Sequence, residues 1–97
     1  MSRIKLFHKV SVTLPNGKQK HTRSVGCKPY VVAVRWRIDG HLNEWKVLEW
    51  CPTYNKAEKI SGDLARQYAG WSHKQPEMAI LNTSCHIATG VDAGASK

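Results

Sequence analysis

Tyr30-Val31-Val32-Ala33-Val34-Arg35-Trp36-Arg37-Ile38, then Asp39-Gly40, then Glu44-Trp45-Lys46-Val47-Leu48-Glu49-Trp50, is the stretch that decides the fold of this 97-residue chain. Its first run is rich in β-branched and aromatic residues and alternates as a strand does. The even face is Tyr30, Val32, Val34, Trp36 and Ile38, and the odd face is Val31, Ala33, Arg35 and Arg37, so the even face is expected to bury. Asp39-Gly40 is a hairpin dipeptide, and Glu44–Trp50 reads as the returning strand. The register is open. A two-residue turn pairs Val34 with Trp45, whereas a five-residue loop pairs it with Leu48. Because a one-residue slip turns every side chain to the other face, either Trp45 or Trp50 is expected outside.

Downstream, Asn55 followed by Glu58 suits a helix N-cap with its capping-box partner. Ala57, Ile60, Ser61, Leu64, Ala65, Tyr68 and Trp71 recur at the spacing of one helical face, so the pattern predicts a helix from about Lys56 to Ala69. Gly62 reads as close packing on the sheet and Gly70 as the stop.

Upstream, residues 3–14 alternate Ile4, Leu6, His8, Val10, Val12 and Leu14 with a basic outer face. Leu14-Pro15-Asn16-Gly17 is a tight reversal, and Lys18–Val25 returns with little to bury, as an edge strand. After the helix, Ser72–Pro76 reads as a polar connector, and Pro76–Leu81 as a short helix or a last strand. The expected fold is α+β: a small antiparallel sheet of about four strands, in two hairpins, packed against one amphipathic helix. Residues 1–88 form one domain, and residues 89–97, small and polar, form a mobile tail.

The formal net charge is +8 and it is uneven. Residues 1–50 hold ten Lys/Arg against three Asp/Glu, and residues 51–97 hold five against four. Such a field attracts phosphate backbones, anionic lipid or acidic protein surfaces. No apolar run approaches the length of a spanning helix, and Met1–Lys5 leads into a strand instead of an apolar signal segment, so a membrane partner is not expected. Cys27, Cys51 and Cys85 are odd in number and widely spaced, which suits reduced thiols and a cytoplasmic location.

Catalytic and metal chemistry finds little support. No Cys or His pair has zinc-site spacing, and no nucleophile motif is present, so no cofactor or metal is expected. Asp39 with Glu44-Trp45-Lys46 has the residue types of a magnesium nuclease, but the carboxylates flank one hairpin turn, and a polar turn is the better reading. The candidate site is therefore a contact surface with no catalytic residue: Arg35, Arg37 and Lys46 with Trp45 and Trp50, and Lys18, Lys20 and Arg23 on the first hairpin. In the polar connector the Gln75–Pro76 bond is expected to sample cis, which makes Pro76 a candidate prolyl-isomerase contact.

The run Tyr30–Ile38, Asp39-Gly40, Glu44–Trp50 and Asn55–Ala69 resembles the arm-type DNA-binding domains of phage integrases. That resemblance implies a sheet entering the major groove of double-stranded DNA with Arg35, Arg37 and Lys46 facing the groove. In its small size, basic charge and cysteine content the whole chain also resembles accessory proteins of lambdoid phage early operons, some of which are the anti-RecBCD proteins. That second resemblance implies a non-enzymatic modulator that binds a host exonuclease–helicase in the host cytoplasm and alters DNA recombination and degradation through exposed Trp and Arg.

Overall fold

The central strand buries four consecutive residues, Val31, Val32, Ala33 and Val34, so both of its faces are covered. The computed structural model describes residues 5–90, with side chains placed for residues 7–87. In chain order the elements are β1 (Lys5–Thr13), β2 (Gln19–Ser24), β3 (Tyr30–Ile38), β4 (His41–Leu42), β5 (Lys46–Cys51), α1 (Tyr54–Gln67), β6 (Lys74–Asn82) and β7 (Ser84–Gly90). They make two antiparallel sheets, β2-β1-β7 and one in which β3 pairs β4 and β5 on one side and β6 on the other. The α+β class and the helix packed on a small antiparallel sheet are as expected. The two hairpins, however, belong to separate sheets, and β6 and β7 complete them.

The even face of β3 meets the helix. Val32, Cys51 and Ala57 form one buried cluster, with Tyr30, Ile60, Met78 and Ile80 against it. Thr53, not Asn55, caps α1: its backbone is extended and its Oγ1 accepts from Lys56 N at 3.1 Å, so the helix starts at Tyr54. Gly62 does not touch the sheet; a side chain there would meet only Arg66. The helix ends at Gln67, and Tyr68 N then donates to Leu64 O.

The odd face of β3 is covered by the first hairpin. Val12 and Leu14 pack on Val31 and Ala33, with Trp45, Val47, Trp50 and Leu81 around them. Leu14 enters this core because the Leu14–Gly17 reversal closes tightly: Gly17 N donates to Leu14 O and Leu14 N to Lys18 O, both at 2.8 Å, with Gly17 at φ +89. The hairpin of β3 and β5 resolves its register in a way neither simple solution allows. The Asp39-Gly40 turn pairs Ile38 with His41, yet Val34 then pairs with Lys46, so one residue is accommodated in the 43–45 segment. A second irregularity takes Val32↔Glu49 to Ala33↔Val47 and leaves Leu48 unpaired. The bulge brings Val47 and Trp50 to one face, and both Trp45 and Trp50 are half-buried.

Between β2 and β3 the chain crosses the inner face of the small sheet. Cys27 is disulfide-bonded to Cys85, across 58 residues, which corrects the expectation of reduced thiols. Two hydrogen bonds hold the same crossing: Thr83 Oγ1 to Lys28 O at 2.5 Å and Thr83 N to Pro29 O at 2.9 Å. Cys85 lies opposite Val10, which is fully buried. Cys51 is the free, buried cysteine, and burial raises its thiol pKa.

Residues 74–76, expected in a connector, open β6 instead. β6 is an edge strand, where a proline costs no ladder hydrogen bond if its missing N–H faces outward. The tail expected from Thr89 is strand as far as Gly90, opposite Lys5, and residues 91–97 lie outside the described residues. No helix among the described residues is long and apolar enough to cross a membrane.

Because Leu14 is 2% exposed and joins the two sheets, Leu14→Ala is expected to destabilise the fold by about 2–4 kcal/mol. Urea unfolding monitored by tryptophan fluorescence measures it, since Trp45 and Trp50 border the same core.

Candidate interaction surfaces

Arg35 and Arg37 project from the odd face of β3, beyond the part that the first hairpin covers. Register sets Glu77 of β6 opposite Arg35. Arg35 Nη2 donates to Glu77 Oε1 at 2.5 Å and Arg37 Nη2 to Oε2 at 3.1 Å, so one carboxylate spans both guanidinium groups. Arg35 also lies 4.9 Å over the Trp45 ring, and its Nε is buried without a partner. The hydrogen bond from Arg35 comes first among the causes that lower the Glu77 pKa. Arg35 is therefore held in place within the protein, and the more exposed Arg37 shares its charge with Glu77.

Lys46 does not join them. It stands opposite Val34, and directly paired residues share a face, so Lys46 is on the helix side of the sheet. Trp45 and Trp50 are both drawn onto the inter-sheet core, which leaves neither as a free anchor. Lys18, at the tip of the first hairpin, donates to Glu44 Oε1 at 2.5 Å and lowers that carboxyl's pKa. The bond ties the hairpin tip to the 43–45 segment. Asp39 faces His73 Nδ1 at 3.4 Å, so the two carboxylates of the nuclease-like pattern have different partners. Among the described residues no group of three or more His, Cys, Asp or Glu is arranged to hold a metal ion.

Lys20 and Arg23 lie on opposite faces of β2. Lys20 stands opposite Val12, on the inner side, whereas Arg23 stands opposite Lys9 on the outer side. Arg23 lies 5.1 Å over the Phe7 ring, and Lys9 has His86 of β7 on its other flank. No Asp or Glu occurs in residues 5–24 or 84–90, so the β2-β1-β7 sheet has no carboxylate of its own.

A further surface was hidden in the sequence. Tyr68 and Trp71 continue the apolar period of α1, which reads as core, but they stand where the helix runs off the sheet. Trp36 packs edge-on against Tyr68 with ring centroids 4.9 Å apart, and Tyr68 meets Trp71 at 5.2 Å. Lys74 Nζ sits 4.6 Å over Trp36 and 5.7 Å over Tyr68. Trp71 is 53% exposed, and its carbonyl accepts from Gln75 Nε2 at 2.7 Å. Pro76 borders this ridge as the cross-strand neighbour of Trp36, half-buried, with its peptide bond trans. The helix ends at Gln67 with Tyr68 as its cap, ahead of the expected stop at Gly70, and this takes Trp71 off the helical face with no residue pattern to announce it.

Comparison with protein-family models, with curated proteins and with solved structures finds no match for this chain.

Glu77 is expected to give the fold part of its acid sensitivity. Its pKa is lowered in the folded state, so its contribution is present above the carboxyl's ordinary value near 4.5 and is lost as pH falls through the lower folded value. In urea titrations between pH 7 and pH 3, Glu77→Gln should lower stability at pH 7 and flatten its decline toward pH 3. An unchanged acid limb would show that the Arg35–Glu77–Arg37 cluster contributes nothing.

Proposed function

We propose that this chain is a non-enzymatic accessory protein of phage type that binds a host DNA-processing complex, an exonuclease–helicase, and modulates recombination and degradation of DNA. The observation that carries the reading is the Trp36–Tyr68–Trp71 ridge with Lys74 over it. Tryptophan and tyrosine dominate the energetics of protein interfaces because they bury large area with few rotatable bonds, and here three of them are stacked in advance. A prolyl isomerase is a candidate second partner at the same surface, since Pro76 borders the ridge. No role for a membrane enters this reading.

The reading places the protein in the host cytoplasm. There Cys27–Cys85 meets a reducing thiol pool. The Thr83 hydrogen bonds to Lys28 O and Pro29 O tie the same segment without depending on the thiols.

A second reading, direct binding of double-stranded DNA by a basic β-sheet, is favoured by the carboxylate-free β2-β1-β7 sheet. It calls for an affinity that falls steeply with salt, as phosphate neutralisation requires. A duplex titration without binding at low salt would remove it.

Tagged protein captured from nuclease-treated host extract should retain the exonuclease–helicase, and Trp71→Ala should lower its recovery by about tenfold or more. The substitution should leave the thermal unfolding midpoint nearly unchanged, because Trp71 is 53% exposed. Recovery of the protein alone, or equal recovery with the variant, would dismiss the ridge as the contact.

A further inference from the structure

The geometry points to the outer face of the β2-β1-β7 sheet as a binding surface for a single nucleic-acid strand, taking phosphates on Lys9 and Arg23 and a base against the Phe7–Arg23 stack. This names a ligand for the sheet that favours the second reading above, and it is independent of the aromatic ridge. Alternation along the strands assigns the face. Val10, Val12 and Leu14 are buried beneath it, so Phe7, Lys9, Ser11 and Thr13 point the other way. Register then builds rows across three strands. Arg23, Lys9 and His86 form one row, and His21, Ser11 and Ser84 the next.

Neighbouring side chains in such a row stand about 4.8 Å apart, and successive rows about 6.8 Å apart. Cationic, imidazole and hydroxyl donors therefore tile the face at a spacing that neighbouring phosphates of one backbone can use. Lys9, His21, Arg23 and His86 are all exposed. None of them has an acidic partner among the described residues, in contrast to Arg35 and Arg37, which share the one carboxylate of Glu77. The charge of this face is thus available to an outside anion.

What separates a single strand from a duplex or a lipid surface is Phe7. Phe7, Lys9, His21, Thr22 and Arg23 line a shallow depression of about 270 Å³. A half-buried aromatic ring with a guanidinium over it, set among cations, offers a flat platform for a base. A duplex hides its base faces in the stack and would use only the charges. An anionic membrane would likewise leave the platform idle.

The test is fluorescence anisotropy with a labelled thymidine oligonucleotide of about 15 nucleotides, the same length as a duplex, and competing vesicles of anionic phospholipid. The single strand should bind more tightly than the duplex, with a log–log salt slope of about −1.4 to −2 for two to three phosphates. Lys9→Glu with Arg23→Glu should weaken binding at least about tenfold, and Lys9→Gln with Arg23→Gln should act in the same direction without adding repulsion. Lys56→Glu with Lys59→Glu makes the same change in net charge on the helix and should cost less than about threefold. Phe7→Leu should weaken binding without altering the salt slope.

A duplex bound as tightly as the single strand overturns the assignment while keeping the second reading. Binding to neither overturns both. Equal losses from the sheet and helix charge reversals, or displacement by vesicles at lower concentration than by the oligonucleotide, also overturn the single-strand assignment.

Discussion

Burial of Val31 through Val34 on both faces of β3 is the constraint from which the rest of the arrangement follows. A strand with one wet face needs one covering layer, but four consecutive apolar residues of this size need two. The helix covers Val32, through Ala57 and Ile60. The tip of the first hairpin covers Val31 and Ala33, which is why Leu14, at the very end of its strand, is among the most buried side chains. Only the tip is used, so the remainder of the β2-β1-β7 sheet extends past the core, and the protein measures 58 × 26 × 19 Å. Val10, fully buried, is the cross-strand neighbour of Cys85, which carries the disulfide to Cys27.

Much of this was legible because it is local. The even face of β3, the Leu14–Gly17 reversal, the edge character of β2 and the helical period over Ala57, Ile60 and Leu64 each follow from residues a few positions apart. The misreadings came from contacts between distant segments. Val31 and Ala33 were assigned to the same outer face as Arg35 and Arg37, because periodicity shows that a face is apolar and not what covers it. The bulge at Leu48 is one inserted residue, with no turn dipeptide to announce it, yet it decides that Trp45 and Trp50 end against the same core. Pro76 suggested a connector because proline is rare in strands, and β6 tolerates it as an edge. Thr53 displaced Asn55 as the cap because both are good caps and the end of β5 decides where the helix starts.

The candidate site was legible in composition more than in placement. Arg35, Arg37 and Lys46 are close in the primary structure, yet β-geometry sets Lys46 on the other face and register brings Glu77 across from Arg35 over a separation of 42 residues. Charge counting could not see that pairing. It did see that the N-terminal half holds most of the excess charge, and the structure turns that asymmetry into two kinds of surface. The β3 sheet offsets one of its two arginine charges internally through Glu77. The β2-β1-β7 sheet has no carboxylate of its own, and at its tip it borrows Glu44, through Lys18, to dock on its neighbour.

The layering also determines how the two proposed surfaces relate. Trp36, Tyr68 and Trp71 lie on the helix side of β3, while the row Arg23, Lys9 and His86 lies on the side of the small sheet turned away from β3. The aromatic ridge and the cationic face share no residue, so an occupant of one does not use the contacts of the other. A protein partner on the ridge leaves the cationic face open. If that partner itself carries a DNA strand, the second contact becomes intramolecular, and its strength is governed by effective concentration instead of by the affinity of a few phosphates. With Lys9 and Arg23 as its fixed charges among the residues whose side chains are described, the proposed face would bind weakly alone and contribute most in such an assembly.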